Sequence, residues 1–90
     1  YDGKIRLIAT LLNKKSGRKM ETYTDLPGVQ FYAGNMIAPV EGKNSEMYSE
    51  RKALCLETQF YPDCANQKEF PQPFFFFFKP YATTTIYKFI

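Results

Sequence analysis

Residues 53–59 read Ala53-Leu54-Cys55-Leu56-Glu57-Thr58-Gln59, a short apolar run that closes on a carboxylate. The run predicts a buried strand over Ala53–Glu57, the most apolar of the chain. A glutamate amid Leu and Cys is costly to bury in its ionised form, so it is either held by hydrogen bonds or engaged in chemistry. Upstream, Pro27-Gly28-Val29-Gln30-Phe31-Tyr32-Ala33-Gly34-Asn35 sets a second polar residue, Gln30, in similar apolar company. These two segments decide the reading of the whole chain.

Around them the sequence is strand-like. No segment keeps a helical period over three turns, and several alternate with a period of two, which predicts an all-β fold. Ile5, Leu7, Ala9 and Leu11 alternate with Lys4, Arg6, Ile8 and Thr10, a strand with one apolar face. Asn13 to Gly17 supply turn residues, with Gly17 free to take positive φ. Arg18 to Thr24 returns as a second strand, making residues 4–24 a hairpin. Asp25-Leu26-Pro27-Gly28 is a turn, and Val29 to Tyr32 a short strand that ends at Ala33-Gly34-Asn35. Residues 38–52 lose the alternation and read as a surface loop. The stretch from Phe60 to Pro73 carries three prolines that break any ladder, and Thr83 to Phe89 closes the chain as a β-branched, aromatic strand.

Composition narrows the function classes. Aromatic residues make up 18% of the 90 residues, with seven Tyr, nine Phe and no Trp. The formal charge of +3 is scattered, whereas a nucleic-acid footprint needs Lys and Arg clustered on one face. Lys14, Lys15 and Arg18 do sit together, but around a Ser-Gly turn, where solvation accounts for them. No run is apolar enough to span a membrane, and Tyr1 opens no signal-peptide pattern. Cys55 and Cys64 are the only cysteines and the chain has no His, too few ligands for a zinc site. Cys55 reads as a small hydrophobe facing a core, and both thiols read as unpaired and reduced rather than as a disulfide.

Phe74 to Phe78 are five consecutive phenylalanines. As a strand they need burial on both faces, and exposed they are an aggregation hazard. A packing role is the plainer reading, against a membrane-dipping wedge or an aromatic sugar platform.

Ser16-Gly17-Arg18 with Met20 to Thr24, the Pro27–Asn35 segment, Gly42-Lys43-Asn44, Leu54 to Gln59, Tyr61-Pro62-Asp63, Asn66, Phe70-Pro71 and Thr83 to Phe89 follow one another in an order that resembles the aldose 1-epimerase (galactose mutarotase) family. The resemblance implies the last strands of a large β-sandwich several-fold longer than this chain, the galactose mutarotase-like supersandwich, incomplete on its own. Residues 1–90 would then be the C-terminal part of a single domain. It further implies a cytoplasmic enzyme that interconverts the α and β anomers of hexoses such as galactose and glucose, with no cofactor and no metal. In that family a glutamate takes the proton of the C1 hydroxyl while a histidine protonates the ring oxygen; the ring opens, the aldehyde rotates, and the reverse transfers close it. Glu57 matches the general base and Gln30 a sugar-contacting position, where an amide offers donors and an acceptor to hydroxyls. Phe31 and Tyr32 alternate with Gln30, placing one aromatic toward the core and the other at the rim.

Two departures stand beside these matches. The family's histidines, with an arginine and an aspartate of its site, lie upstream of the matching region, and Asp2 does not take that aspartate's role. The chain alone therefore lacks its acid, is expected to be inactive, and requires the missing N-terminal part of the fold. Further on, the spacing from Pro73 to Thr83 is the family's, yet Phe77 and Phe78 stand where it turns through Pro-Gly, which puts the assignment of Phe74 to Phe78 in question. Read without the resemblance, Glu57 is a strand-end carboxylate in water and Gln30 an amide paired with backbone. The alternatives are then a non-catalytic carbohydrate-binding module or a small β structural or interaction domain.

Overall fold

The computed structural model describes residues 1–73 and 78–90. The sequence reading of Phe74 to Phe77 lies outside the described residues; Phe78 is largely exposed. Among the described residues seven strands run in chain order: β1 (Arg6–Leu12), β2 (Lys19–Thr24), β3 (Gly28–Tyr32), β4 (Val40–Glu41), β5 (Met47–Tyr48), β6 (Cys55–Gln59) and β7 (Thr85–Phe89). They form three antiparallel sheets, β1-β2-β7, β3-β6 and β4-β5. Among the described residues there is no α-helix, only short 3-10 turns at Lys43–Ser45 and Cys64–Asn66, so the all-β expectation holds. No helix among them is long and apolar enough to cross a membrane.

The first hairpin forms where the turn chemistry requires it. Asn13 accepts the Lys15 and Ser16 amides on its side chain, at 2.9 and 3.1 Å, and Gly17 sits at φ +73°, a conformation that favours glycine. β1, however, does not keep the single apolar face expected of Ile5, Leu7, Ala9 and Leu11. Leu7 pairs with Tyr23 but Ala9 with Thr22, so Ile8 is an extra residue in a bulge. The bulge moves Ala9 and Leu11 to one face and leaves Leu7 on the other, exposed. The core-side face of this sheet is therefore Arg6, Ala9 and Leu11, then Met20, Thr22 and Thr24, then Thr85, Tyr87 and Phe89.

Thr22 and Thr24 are completely buried at the centre of that face. Thr24 is fully used: its hydroxyl donates to the Thr84 carbonyl at 3.0 Å and accepts the buried Leu26 amide at 3.1 Å. The Thr22 hydroxyl finds no hydrogen-bond partner among the described residues. Among the described residues, Leu26 and Cys64 are buried apolar side chains. Large apolar groups elsewhere lie open, among them Ile5, Leu7, Leu12 and Ile86, and so does Phe89 at the edge of the core-side face. The radius of gyration is 16.6 Å, against about 12 Å for a compact domain of this length.

Other sequence boundaries shift. Residues 38–52 are not all loop, since Val40–Glu41 and Met47–Tyr48 pair in a small hairpin. The expected strand over Ala53–Glu57 begins at Cys55 and runs to Gln59, and it is not buried: Cys55 and Glu57 are exposed. Cys55 thus faces no core, because no described residue forms a layer over its side of β6. Both cysteines are free, as expected. The closing strand starts at Thr85 rather than Thr83. The irregular stretch is held by Gln72, whose amide nitrogen reaches the carbonyls of Cys64, Gln67 and Phe70 at 2.8–2.9 Å.

Candidate functional site

The two polar residues singled out in the sequence stand 27 positions apart in the chain and opposite each other in space. β3 and β6 pair antiparallel with Gly28 against Gln59, Gln30 against Glu57 and Tyr32 against Cys55. Side chains directly opposite share a face, with Cβ atoms about 4.5–5.5 Å apart. The alternate residues Val29, Phe31, Leu56 and Thr58 point the other way, toward β7. There the hydroxyls of Thr58 and Thr85 lie 2.7 Å apart, and the Tyr87 hydroxyl donates to the Leu56 carbonyl at 2.9 Å. The ribbon is thereby pinned on one side to the three-stranded sheet, and its Gln30–Glu57 side is left open.

Glu57 and Gln30 are both exposed. The burial of Glu57 expected from its apolar neighbours does not occur, because Leu56 and Thr58 point to the opposite face by the pleat. An exposed carboxylate is an acceptor on both oxygens and can receive hydrogen bonds from hydroxyls. The Gln30 amide nitrogen reaches the Phe31 carbonyl at 3.4 Å, a long bond that a ligand can replace. Tyr32 shares the Gln30 face, half-buried, and its hydroxyl accepts the Met36 amide at 3.3 Å. Phe31 is on the opposite face, as the alternation requires, but is 57% exposed and so is not the core residue expected of one aromatic.

The entry to β3 is fixed by a residue that the sequence reading used only as a polar strand position. Arg6 donates from Nη1 to the carbonyls of Thr24 and Leu26, at 3.1 and 2.9 Å, and from Nη2 to that of Pro27 at 3.0 Å. A planar guanidinium fork suits three convergent carbonyls, and these set the chain direction into Gly28 and Gln30. The Pro27 carbonyl also accepts the Tyr61 hydroxyl at 3.3 Å. A signal for Tyr61 was present in the sequence: it lies two and four residues beyond Gln59 and Glu57, in the parity that returns to one face of a strand.

Charge nearby is organised away from this face. On β2, Lys19 Nζ lies 2.6 Å from Glu21 Oε1 and the Tyr23 hydroxyl donates to Glu21 Oε2 at 2.6 Å. Lys19, then Tyr23, hold the Glu21 carboxyl below its ordinary value, and the same bond to Glu21 raises the Tyr23 phenol. Beyond β6, Asp63 takes φ +58° ahead of the 3-10 turn. Its carboxylate accepts from the Asn66 side chain at 2.6 Å and the Gln67 side chain at 3.1 Å, which lowers its proton affinity. Asn35 lies in a turn and accepts the Arg51 Nε–H at 3.0 Å. An open apolar groove of about 400 Å³ lies at the far end of the three-stranded sheet, among Leu11, Leu12, Met20, Leu54 and Phe89. Neither Gln30 nor Glu57 lines it.

The sequence profile of the aldose 1-epimerase family matches residues 2–88, nearly the whole chain. The chain belongs to the aldose 1-epimerase family. It is 42% identical over 85 residues to galactose mutarotase of Mus musculus, covering 93% of this chain and 25% of that protein. With galactose mutarotase of Homo sapiens the identity is 45% over 75 residues, 82% of this chain and 22% of the relative. With aldose 1-epimerase of Escherichia coli (strain K12) it is 35% over 92 residues, 99% of this chain and 26% of the relative. The epimerase-family chain thus spans about a quarter of the length of the relatives it matches. The relatives' names make them sugar isomerases, and the strand-only architecture is that of a β-sandwich fragment of the aldose epimerase fold.

Proposed function

We propose that residues 1–90 are the C-terminal part of a cytoplasmic aldose 1-epimerase that interconverts the α and β anomers of hexoses such as galactose and glucose. The observation that carries the reading is the β3–β6 register, which sets Gln30 directly opposite Glu57 on one open face. On that face a carboxylate and a carboxamide can grip neighbouring hydroxyls of one pyranose. Glu57 takes the proton of the C1 hydroxyl as general base, and Gln30 orients the sugar with both donor and acceptor. Protonation of the ring oxygen needs an acid. The chain has no histidine, so in this reading the acid comes from the N-terminal part of the fold, and the ninety residues alone are inactive.

The test is Glu57→Gln in the natural, full-length protein, followed by polarimetry of galactose mutarotation. Glutamine keeps the shape and one acceptor oxygen but takes up no proton. Loss of a general base costs on the order of 10²–10⁴-fold in kcat, with KM little changed. Activity within tenfold of wild type would overturn the assignment of Glu57. Saturable galactose binding by the intact wild-type protein without any turnover would make it a carbohydrate-binding module instead.

A further inference from the structure

Tyr61 folds back over Gly28. A Cβ built on Gly28 would lie 2.6 Å from Cε1 and 2.8 Å from Cδ1 of the Tyr61 ring, so the ring occupies the place that a side chain at position 28 would take. Positions 28 and 30 share a face of β3, and that face is the one with Glu57. The ring's seat is thus two residues along the ribbon, about 7 Å, from the Gln30–Glu57 pair. Its orientation is set from two sides: Phe70 meets it edge-on with centroids 5.3 Å apart, and its hydroxyl is tied to the Pro27 carbonyl at 3.3 Å. Tyr61 is only half-buried, so part of it remains open.

Resting on the epimerase reading, we propose that Tyr61 is an aromatic wall of the hexose site and a specificity-determining residue for the reaction. A pyranose offers hydroxyls at its rim and a patch of C–H groups on its face. Sites for small ligands pair apolar and aromatic walls with a few placed polar groups, and here the two kinds lie side by side. With C1 at Glu57 and a hydroxyl at Gln30, the sugar reaches two residues along the ribbon to the Tyr61 ring. Gly28 is the partner requirement, since any side chain there would drive the ring off the face. Tyr32 and Cys55 bound the same face on its other side.

The experiment uses the full-length protein with 3-fluorotyrosine incorporated, the Tyr61 signal being assigned by its loss in Tyr61→Phe. On titration with galactose the Tyr61 ¹⁹F resonance is expected to move saturably, with the dissociation constant found by calorimetry. Kinetically, Tyr61→Leu is expected to raise KM for galactose about tenfold and leave kcat within about threefold, while Tyr61→Phe stays within about twofold on both. A Tyr61 resonance that stays in place at saturating galactose would overturn the proposal, as would an unchanged KM in Tyr61→Leu. The resonance is read on the wild-type sequence and assigned with the conservative Tyr61→Phe, so the test survives a Tyr61→Leu variant that fails to fold. Full activity in Glu57→Gln would sink the base assignment while leaving a moving Tyr61 signal to support the wall, so the two readings fail separately.

Discussion

Thr22 and Thr24 offer a controlled comparison, being two residues apart on β2, on one face, and both fully buried. Their hydroxyls differ only in what they meet. Replacing either by valine keeps the β-branch and its strand preference and exchanges a hydroxyl for a methyl of similar volume. At Thr24 the exchange leaves the Leu26 amide without its acceptor; the Thr84 carbonyl still has the Asp25 amide at 3.4 Å, and Thr85 still has Thr58. One orphaned buried donor costs about 1–3 kcal/mol, so Thr24→Val is expected to destabilise by that amount. At Thr22 the hydroxyl is buried without a partner among the described residues, an arrangement that itself costs about 1–3 kcal/mol by mutational measures. Thr22→Val is therefore expected to be stabilising, by about 1 kcal/mol. The assay is urea unfolding of the natural protein, reading the shift of midpoint at constant slope. Destabilisation of Thr22→Val comparable with that of Thr24→Val would refute the reasoning. It would mean that the Thr22 hydroxyl bonds to a group outside the residues described.

Three further outcomes follow from the geometry. Cys55 is exposed and Cys64 buried, so a thiol titration with Ellman's reagent on residues 1–90 under native conditions should show one fast and one slow thiol, and Cys55→Ser should remove the fast one. The Glu21 carboxyl is held below its ordinary value of 4.5 by Lys19 and Tyr23. The stability it contributes is complete above that pH and is lost as pH falls through the lower folded value. Glu21→Gln should flatten the acid limb of a stability–pH curve below pH 4.5 and leave the neutral region's shape unchanged; an identical acid limb would count against the Lys19–Glu21–Tyr23 arrangement. Arg6→Lys keeps the charge but cannot span the carbonyls of Thr24, Leu26 and Pro27 together. It is expected to cost about 1–3 kcal/mol in denaturant unfolding, and a neutral result would mean the fork does not hold the turn.

Much of the fold was legible in periodicity and turn residues. The alternation around Asn13–Gly17 located the first hairpin, and the apolar runs at 29–32 and 53–57 located β3 and β6 within two residues. The bulge at Ile8 was not legible, because it arises where β1 pairs with β2, and no local pattern reports a partner strand's register. The burial of β6 was misjudged for a related reason. An apolar composition states that a strand is suited to a covering layer, not that these ninety residues supply one, and Cys55 and Glu57 lie open accordingly.

The candidate site divides the same way. Residue types and their order were enough to select Glu57 and Gln30 and to place the chain among the aldose 1-epimerases. Their meeting belongs to the tertiary structure: the β3–β6 register could slip by one residue and leave the sequence motifs untouched while sending Gln30 and Glu57 to opposite faces. Arg6 stood in no motif, and Tyr61 entered only as part of the Tyr61-Pro62-Asp63 match with no role assigned; one acts through three backbone carbonyls and the other through the space above a glycine. The sequence alone determined which chemistry is present and which segments are strands, because both are properties of residues and their near neighbours. Which side chains face one another was decided only by the pairing of strands far apart in the chain.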